Sequence, residues 1–215
     1  GQLSTDEGCA TISTGEGTLL FYTDGEVIYN ANHAVMQNGT GLLGSFTTTQ
    51  SAIIVPAPGD AAKYYVFAAD GQGDPNGLTY SVVDMTMDGG LGGVVPGEKN
   101  IQLVTPIAEK LTAVHHQNQE DIWVIVHSLV GNEFLAYLVT ASGVSAPVIT
   151  NIGTNYYSGT GGFQGCMKAS PDGNMIATAK QALMKGVELF DFDSATGMLS
   201  NARQLQTDSA YGVEF

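Results

Sequence analysis

Charge is scarce in this sequence of 215 residues. Only 13% of them are Asp, Glu, Lys or Arg, about half the roughly 25% of an ordinary soluble domain. The deficit implies a surface built from Gly, Ser, Thr, Asn and Gln. Basic residues are the rarest, seven Lys plus Arg against 21 Asp plus Glu, for a formal net charge of −14. A nucleic-acid partner is therefore not expected, because binding a polyanion rests on Lys and Arg neutralising phosphates. Acidity of this order favours solubility and is compatible with cation binding or a cell-surface setting, without selecting either. No apolar run approaches the ~20 residues that span a bilayer, so membrane insertion is not expected, and no signal peptide is recognisable. The two cysteines, Cys9 and Cys166, make neither a disulfide framework nor a zinc spacing and read as small buried residues. Helical periodicity with helix-like composition is also missing over any stretch of ten residues or more.

Glycine is plentiful instead. Its 28 occurrences are about 13% of the chain, against roughly 7% in average usage. Without a collagen period, that much glycine means many tight turns and so many short strands. Five segments share a small or flexible residue followed by an apolar strand. They start near Gly8, Ser51, Leu111, Gly165 and Gly212, at spacings of 43, 60, 54 and 47 residues. Repeats of roughly 40–50 residues are the period of four-stranded propeller blades, with loop insertions lengthening some of them. Each repeat continues with further strands separated by turn chemistry. In the third these are Asp121-Ile122-Trp123-Val124-Ile125-Val126-His127, Glu133-Phe134-Leu135-Ala136-Tyr137-Leu138-Val139 and Pro147-Val148-Ile149-Thr150-Asn151-Ile152. The sequence thus predicts an all-β class and a β-propeller running over residues 1–215. It comprises about four four-stranded blades and the first strand of a fifth, within a larger ring of about seven blades. Because it ends at Phe215 inside a strand-like run, the chain reads as part of a longer parent with neighbouring domains.

Several stretches carry a family likeness. They are Gln2-Leu3-Ser4-Thr5-Asp6-Glu7-Gly8-Cys9-Ala10, Leu19-Leu20-Phe21-Tyr22-Thr23-Asp24-Gly25, Asn32-His33-Ala34-Val35-Met36-Gln37-Asn38-Gly39 and Thr49-Gln50-Ser51-Ala52-Ile53-Ile54-Val55-Pro56. With Lys110-Leu111-Thr112-Ala113-Val114 and Trp123-Val124-Ile125-Val126-His127, they resemble the propeller region of large secreted surface proteins of Bacteroidetes. Ser170-Pro171-Asp172-Gly173 is similar to the WD40-like repeat of TolB-type propellers, where it turns between the first two strands of a blade. The resemblance implies PKD-like or other immunoglobulin-like modules after the propeller and a C-terminal gliding-motility-type sorting domain. It also implies export by the type IX secretion system to a secreted or surface-attached location.

Candidate sites are few. In Asp70-Gly71-Gln72-Gly73-Asp74-Pro75-Asn76-Gly77, the oxygen side chains of Asp70, Asp74 and Asn76 could wrap Ca²⁺, which takes six to eight oxygen ligands. The segment lacks EF-hand spacing, and a polar loop with Asx turns fits it at least as well. No other cofactor is indicated. A hairpin turn centred on Gln119-Glu120 would pair residue 116 with 123. His116 and His127 would then share a face but lie roughly 13 Å apart, too far for one ion. The histidines His33, His115, His116 and His127 accordingly read as structural or surface residues, and Trp123 as core. Tyr156 and Tyr157, among Gly and Ser, are the candidates for an exposed recognition patch. Asp193-Ser194-Ala195 and Asp208-Ser209-Ala210 resemble Bacteroidetes O-glycosylation sites at Ser194 and Ser209. Asp191 and Asp193 place two carboxylates on one strand face.

Enzyme signatures such as Gly-x-Ser-x-Gly, His-Glu-x-x-His or a phosphate loop are missing. The expected function is a non-catalytic binding or scaffold module that recognises protein or glycan at the cell surface. Two alternatives stay open. One is a propeller hydrolase or lyase with carboxylates at the channel mouth acting on polysaccharide; the other is a structural spacer in a surface filament.

Overall fold

The computed structural model describes residues 1–156, 163–182 and 185–215. The described residues are all-β, the only helical element among them being a three-residue 3-10 turn at Asp88–Gly90. They fall into two compact units, Gly1–Thr105 and Pro106–Phe215.

In the first unit, β1 (Ala10–Ser13), β2 (Leu19–Thr23), β3 (Val27–Asn30) and β4 (Val35–Thr40) form an antiparallel meander. A second meander follows with β5 (Ala52–Ala57), β6 (Asp60–Ala69) and β7 (Leu78–Asp84), against which the short β8 (Gly93–Val94) and β9 (Ile101–Val104) both pair. A single parallel bridge, Gln37 to Gly93, joins β4 to β8 and makes one nine-stranded sheet. Between the meanders lie Phe21, Ile28, Met36, Val66, Val83 and Val94. Alternation explains the segregation: in Val27–Asn30 every second residue is buried, as the two-residue period of a strand requires. Gly8 leads into β1 where backbones nearly touch, since a Cβ there would stand 2.2 Å from the Ser51 nitrogen. Only glycine permits that approach.

The second unit has the same plan. One sheet holds β10 (Ile107–His115), β11 (Ile122–Ser128), β12 (Gly131–Thr140), the short β13 (Gly143–Val144) and β14 (Val148–Tyr156). The other is a four-stranded meander of β15 (Met167–Ala169), β16 (Met175–Lys180), β17 (Gly186–Asp193) and β18 (Met198–Gln206). All seven residues of β11 are buried, which accounts for its unbroken apolar run in place of alternation. Trp123, Phe134, Met167, Ile176, Phe190 and Phe192 form the core between the two sheets. Phe134 meets Phe190 edge to face at 4.9 Å, the favoured aromatic geometry.

The strands predicted for the third repeat are present as β11, β12 and β14, and the short strands β8 and β13 were not anticipated. Residues 211–215, expected to open a fifth repeat, adopt no strand. The segment does run beside β15: the Cys166 N–H donates to the Tyr211 carbonyl at 2.7 Å, and Lys168 pairs with Glu214 at 3.1 Å. The hairpin register also differs from expectation. Val114 pairs with Trp123 and His115 with Ile122, so the turn is centred between Asn118 and Gln119, one residue earlier than expected. The Asn118 side-chain oxygen caps the N–H groups of Glu120 and Asp121, and Gln119 takes a left-handed φ of 63°.

Phe190 is fully buried, and truncating such a ring leaves a cavity costing about 3–5 kcal/mol. Phe190→Ala should lower the unfolding free energy of the second unit by that amount, read as a fall in urea midpoint with little change in m-value.

Candidate functional site

Strand pairing gives the second unit two distinct ends. Ile107 at the start of β10 lies opposite Ser128 at the end of β11, and Gly131 opposite Tyr156. Lys180 at the end of β16 lies opposite Gly186. A buried polar group gathers at this end. Along β10, Lys110, Thr112 and Val114 project to one side by the two-residue period. Val114 joins the core against the β15–β18 sheet, and Thr112 accepts the Ala169 N–H at 3.2 Å.

Lys110 is fully buried. Its ammonium donates to the Ala179 carbonyl at 2.9 Å, the Gln164 carbonyl at 3.2 Å and the Tyr156 hydroxyl at 3.3 Å. Three protons thus meet three acceptors. The same nitrogen lies 5.1 Å from the centre of the Tyr156 ring, within cation–π range. Burial, reinforced by the positive charge of Lys180, lowers the Lys110 pKa to about 7. Burial also drives the Tyr156 hydroxyl far above its ordinary range, with the negative charge of Glu188 adding to the effect.

Lys180 pairs with Glu188 at 3.1 Å, with both side chains nearly out of solvent. Thr154 completes the pair, accepting from the Lys180 ammonium at 2.7 Å and donating to Glu188 Oε1 at 2.9 Å. His127 stacks on Tyr156 with ring centres 4.0 Å apart, and its Nδ1–H donates to the Ser128 carbonyl at 2.6 Å. Burial lowers its pKa to about 3, so the ring is neutral at physiological pH. A lysine near neutrality is a possible general base in principle. Here every donor of Lys110 is committed to the fold, and the group acts as a staple between the sheets.

The opposite end is open. The β10–β11, β15–β16 and β17–β18 turns surround a cleft of about 240 Å³. In Ser170-Pro171-Asp172-Gly173, the Ser170 hydroxyl donates to Asp172 Oδ1 at 2.6 Å and accepts the Met175 N–H at 2.9 Å. Asn174 donates to both oxygens of Asp172. Ser170 and Asn174 together hold this exposed carboxyl below its usual range. The Ser194 carbonyl accepts the Trp123 indole N–H at 2.9 Å and the Gln117 N–H at 3.2 Å, tying the β17–β18 turn to the first sheet. His116 is held nearby: its Nδ1 accepts from Asn118 and its Nε2–H donates to the Ala195 carbonyl.

The residues singled out from sequence meet different fates. Asp70 is buried, and its two carboxylate oxygens accept the N–H groups of Gly71 and Asn76 at 2.9 and 3.2 Å. Burial raises its pKa. Asp74 is exposed and Asn76 half-buried, so the loop is stapled by its own carboxylate in the manner of an Asx turn. Among the described residues no three His, Cys, Asp or Glu side chains are grouped to hold a metal.

Tyr156 is not part of an exposed patch. Its ring is buried between Lys110 and His127, because it ends a strand on the face that packs inward. Tyr157 lies outside the described residues. Ser194 is half-buried at the cleft, and Ser209 is exposed beyond β18. Cys9, expected to be buried, is exposed, and Cys166 is half-buried; neither is in a disulfide. Asp191 is engaged by Arg203 and Asn201, while Asp193 caps its own turn through Ala195 and Thr196. Trp123 is core, as expected.

The residues that sequence reasoning passed over are Lys110, Lys180 and Glu188. A signal was present. In a chain with so few basic residues, Lys110 and Lys180 both sit within strand-forming apolar runs, where a lysine has no ordinary place unless paired.

No family model matches the sequence, and no curated protein matches it. Solved structures do. A periplasmic gluconolactonase from Pseudomonas aeruginosa superposes with a TM-score of 0.54 at 12% identity, over 95% of this chain and 59% of that one. A protein of unknown function from Desulfotomaculum acetoxidans gives 0.50 at 15% identity, over 94% of this chain and 57% of that one. The chain therefore spans less than two thirds of the length of these structures, and the likeness establishes a propeller-like β fold.

The buried groups set two pH windows. A lysine held at about 7 in the fold and at its ordinary value near 10.5 when unfolded releases its proton first in the folded state. Stability then rises as pH climbs between those values. Lys110→Met should flatten that rise relative to the parent in urea titrations at successive pH values. His127, held at about 3 against an ordinary 6.5, must charge on acid unfolding, so stability falls as pH drops through that range; His127→Phe should shift acid unfolding to lower pH. Lys180→Ala, which strands the Glu188 carboxylate, should cost about 3–5 kcal/mol, whereas the double change Lys180→Met/Glu188→Leu should cost clearly less.

Proposed function

We propose that the four meanders are four blades of a larger propeller of about seven, with residues 211–215 opening a fifth. On this reading the chain serves as a non-catalytic binding or scaffold module of a secreted, surface-associated protein, and recognises glycan or protein. The observation that carries it is the state of the reactive-type side chains in the second unit. Lys110, His127, Tyr156, Lys180 and Glu188 all have their hydrogen-bonding and charge requirements met within the framework, which is what a rigid display scaffold needs. Binding then falls to loops at the ends of the sheets. The shared order of the repeats supports the blade assignment, and the 57% and 59% coverage of the matching structures supports a ring that continues beyond these blades. The fold likeness to a gluconolactonase transfers no activity by itself. The module is proposed to work without a cofactor, and to sit beside further domains of its parent chain.

A glycan array and a surface-protein pull-down, paired with a screen for polysaccharide and lactone hydrolysis, test the reading. Saturable binding without turnover is the expected result. Hydrolysis abolished by replacing a single carboxylate overturns it. Excess EDTA should leave the melting temperature unchanged; a Ca²⁺-dependent rise lost in Asp74→Ala would instead make the 70–77 loop a cation site.

A further inference from the structure

We propose that the cleft at the open end of the second unit is a subsite for one neutral sugar residue. The inference rests on reading the chain as a binding module and assigns that module a place and a ligand class.

Size comes first. The cleft of about 240 Å³ is smaller than the roughly 300–1,000 Å³ pockets that take drug-sized ligands. It has the capacity of about eight waters at ~30 Å³ each, enough for one pyranose ring and too little for an enclosed oligosaccharide or a folded peptide segment.

The lining has two characters. Val114 and Pro171 offer apolar surface, while His115, Gln119, Asp172 and Ser194 bring polar groups. A sugar ring has the matching amphipathic form, with C–H groups on its faces and hydroxyls around its edge.

Hydrogen-bond chemistry narrows the class. Ser194 can donate and accept, as can the Gln119 amide and the His115 ring, whereas Asp172 only accepts. A hydroxyl likewise both donates and accepts, so a polyol can satisfy all four. An ammonium has donors alone and would leave the Ser194 hydroxyl donor unmet, while the Gln119 amide already donates to the His116 carbonyl. An anion is opposed by Asp172, whose carboxyl is held ionised by Ser170 and Asn174, and no Lys or Arg is among the lining residues.

The site is also preorganised. Ser170 and Asn174 fix the Asp172 carboxylate, and the Ser194 turn is pinned through its carbonyl to the Trp123 indole. The Ser194 hydroxyl can therefore be changed without touching the backbone contact that positions it. Fixed polar groups reduce the ordering cost that weakens small-ligand binding.

The test uses the whole 215-residue chain, ¹⁵N-labelled. It is titrated with the methyl glycosides of neutral hexoses and N-acetylhexosamines, and separately with methylammonium and inorganic phosphate. The expected result is saturable shifts of the amides of residues 169, 170, 172, 173 and 194 with at least one glycoside. Binding should weaken at least tenfold in Asp172→Asn, which removes the charge while an oxygen remains to accept from Ser170 and the Asn174 N–H, and in Ser194→Leu, which fills the cleft; unchanged amide spectra elsewhere confirm that each variant folds. No saturable shift with any glycoside overturns the proposal, as do shifts with methylammonium or phosphate alone, or glycoside binding untouched by both variants. Array binding that survives both variants removes the sugar subsite and leaves the binding-module reading intact, whereas turnover of a bound glycan removes that reading instead.

Discussion

The second unit is organised around one buried ammonium. Lys110 leaves β10 and reaches the Ala179 carbonyl of β16, the Gln164 carbonyl and the Tyr156 hydroxyl at the end of β14. A charge this deep is tolerated only when each of its protons has a partner. The requirement constrains the neighbourhood: the carbonyls must converge, Tyr156 must stay protonated, and His127 must stay neutral on its far face. The second cation, Lys180, is admitted because Glu188 and Thr154 meet it directly. Breaking any one of these contacts leaves an unmet charge or donor in a dry region, which is why the group behaves as one element.

Strand β10 thereby separates two kinds of chemistry along its length. Near its start the charged groups are enclosed and paired with one another or with the backbone. Near its end, beyond Val114 in the core, the turns carry polar groups that face a cleft. The apolar layer of Trp123, Phe134 and Phe190 lies between them.

Much of the strand plan was legible in the sequence. Gly8 and Gly165 marked the starts of repeats, and both stand where a Cβ would collide with backbone, 2.2 Å from the Ser51 nitrogen and 2.5 Å from the Ala179 oxygen. Ser170-Pro171-Asp172-Gly173, placed as a turn by its likeness to the WD40-like repeat, does turn between β15 and β16, with the Ser170 hydroxyl accepting the Met175 N–H. The sites were harder to read. Tyr156 looked exposed because its sequence neighbours are small and polar, yet burial is decided by a lysine 46 residues away. The partnership of Lys110, Lys180 and Glu188 joins strands from two sheets, and no local pattern announces such long-range contacts. The hairpin is centred one residue earlier than expected, because the Asn118 side chain caps Glu120 and Gln119 takes a left-handed φ.

The indole of Trp123 has a spectroscopic consequence. It is the only tryptophan in the chain. It is buried with its N–H on the Ser194 carbonyl, and Gly197 packs so closely that a Cβ there would stand 2.7 Å from the ring. Intrinsic emission excited at the red edge of the absorption band therefore originates in the second unit alone, from a dry site beside the cleft. Loss of order in the first unit passes unseen in that signal, and tyrosine-sensitive dichroism is needed to observe it.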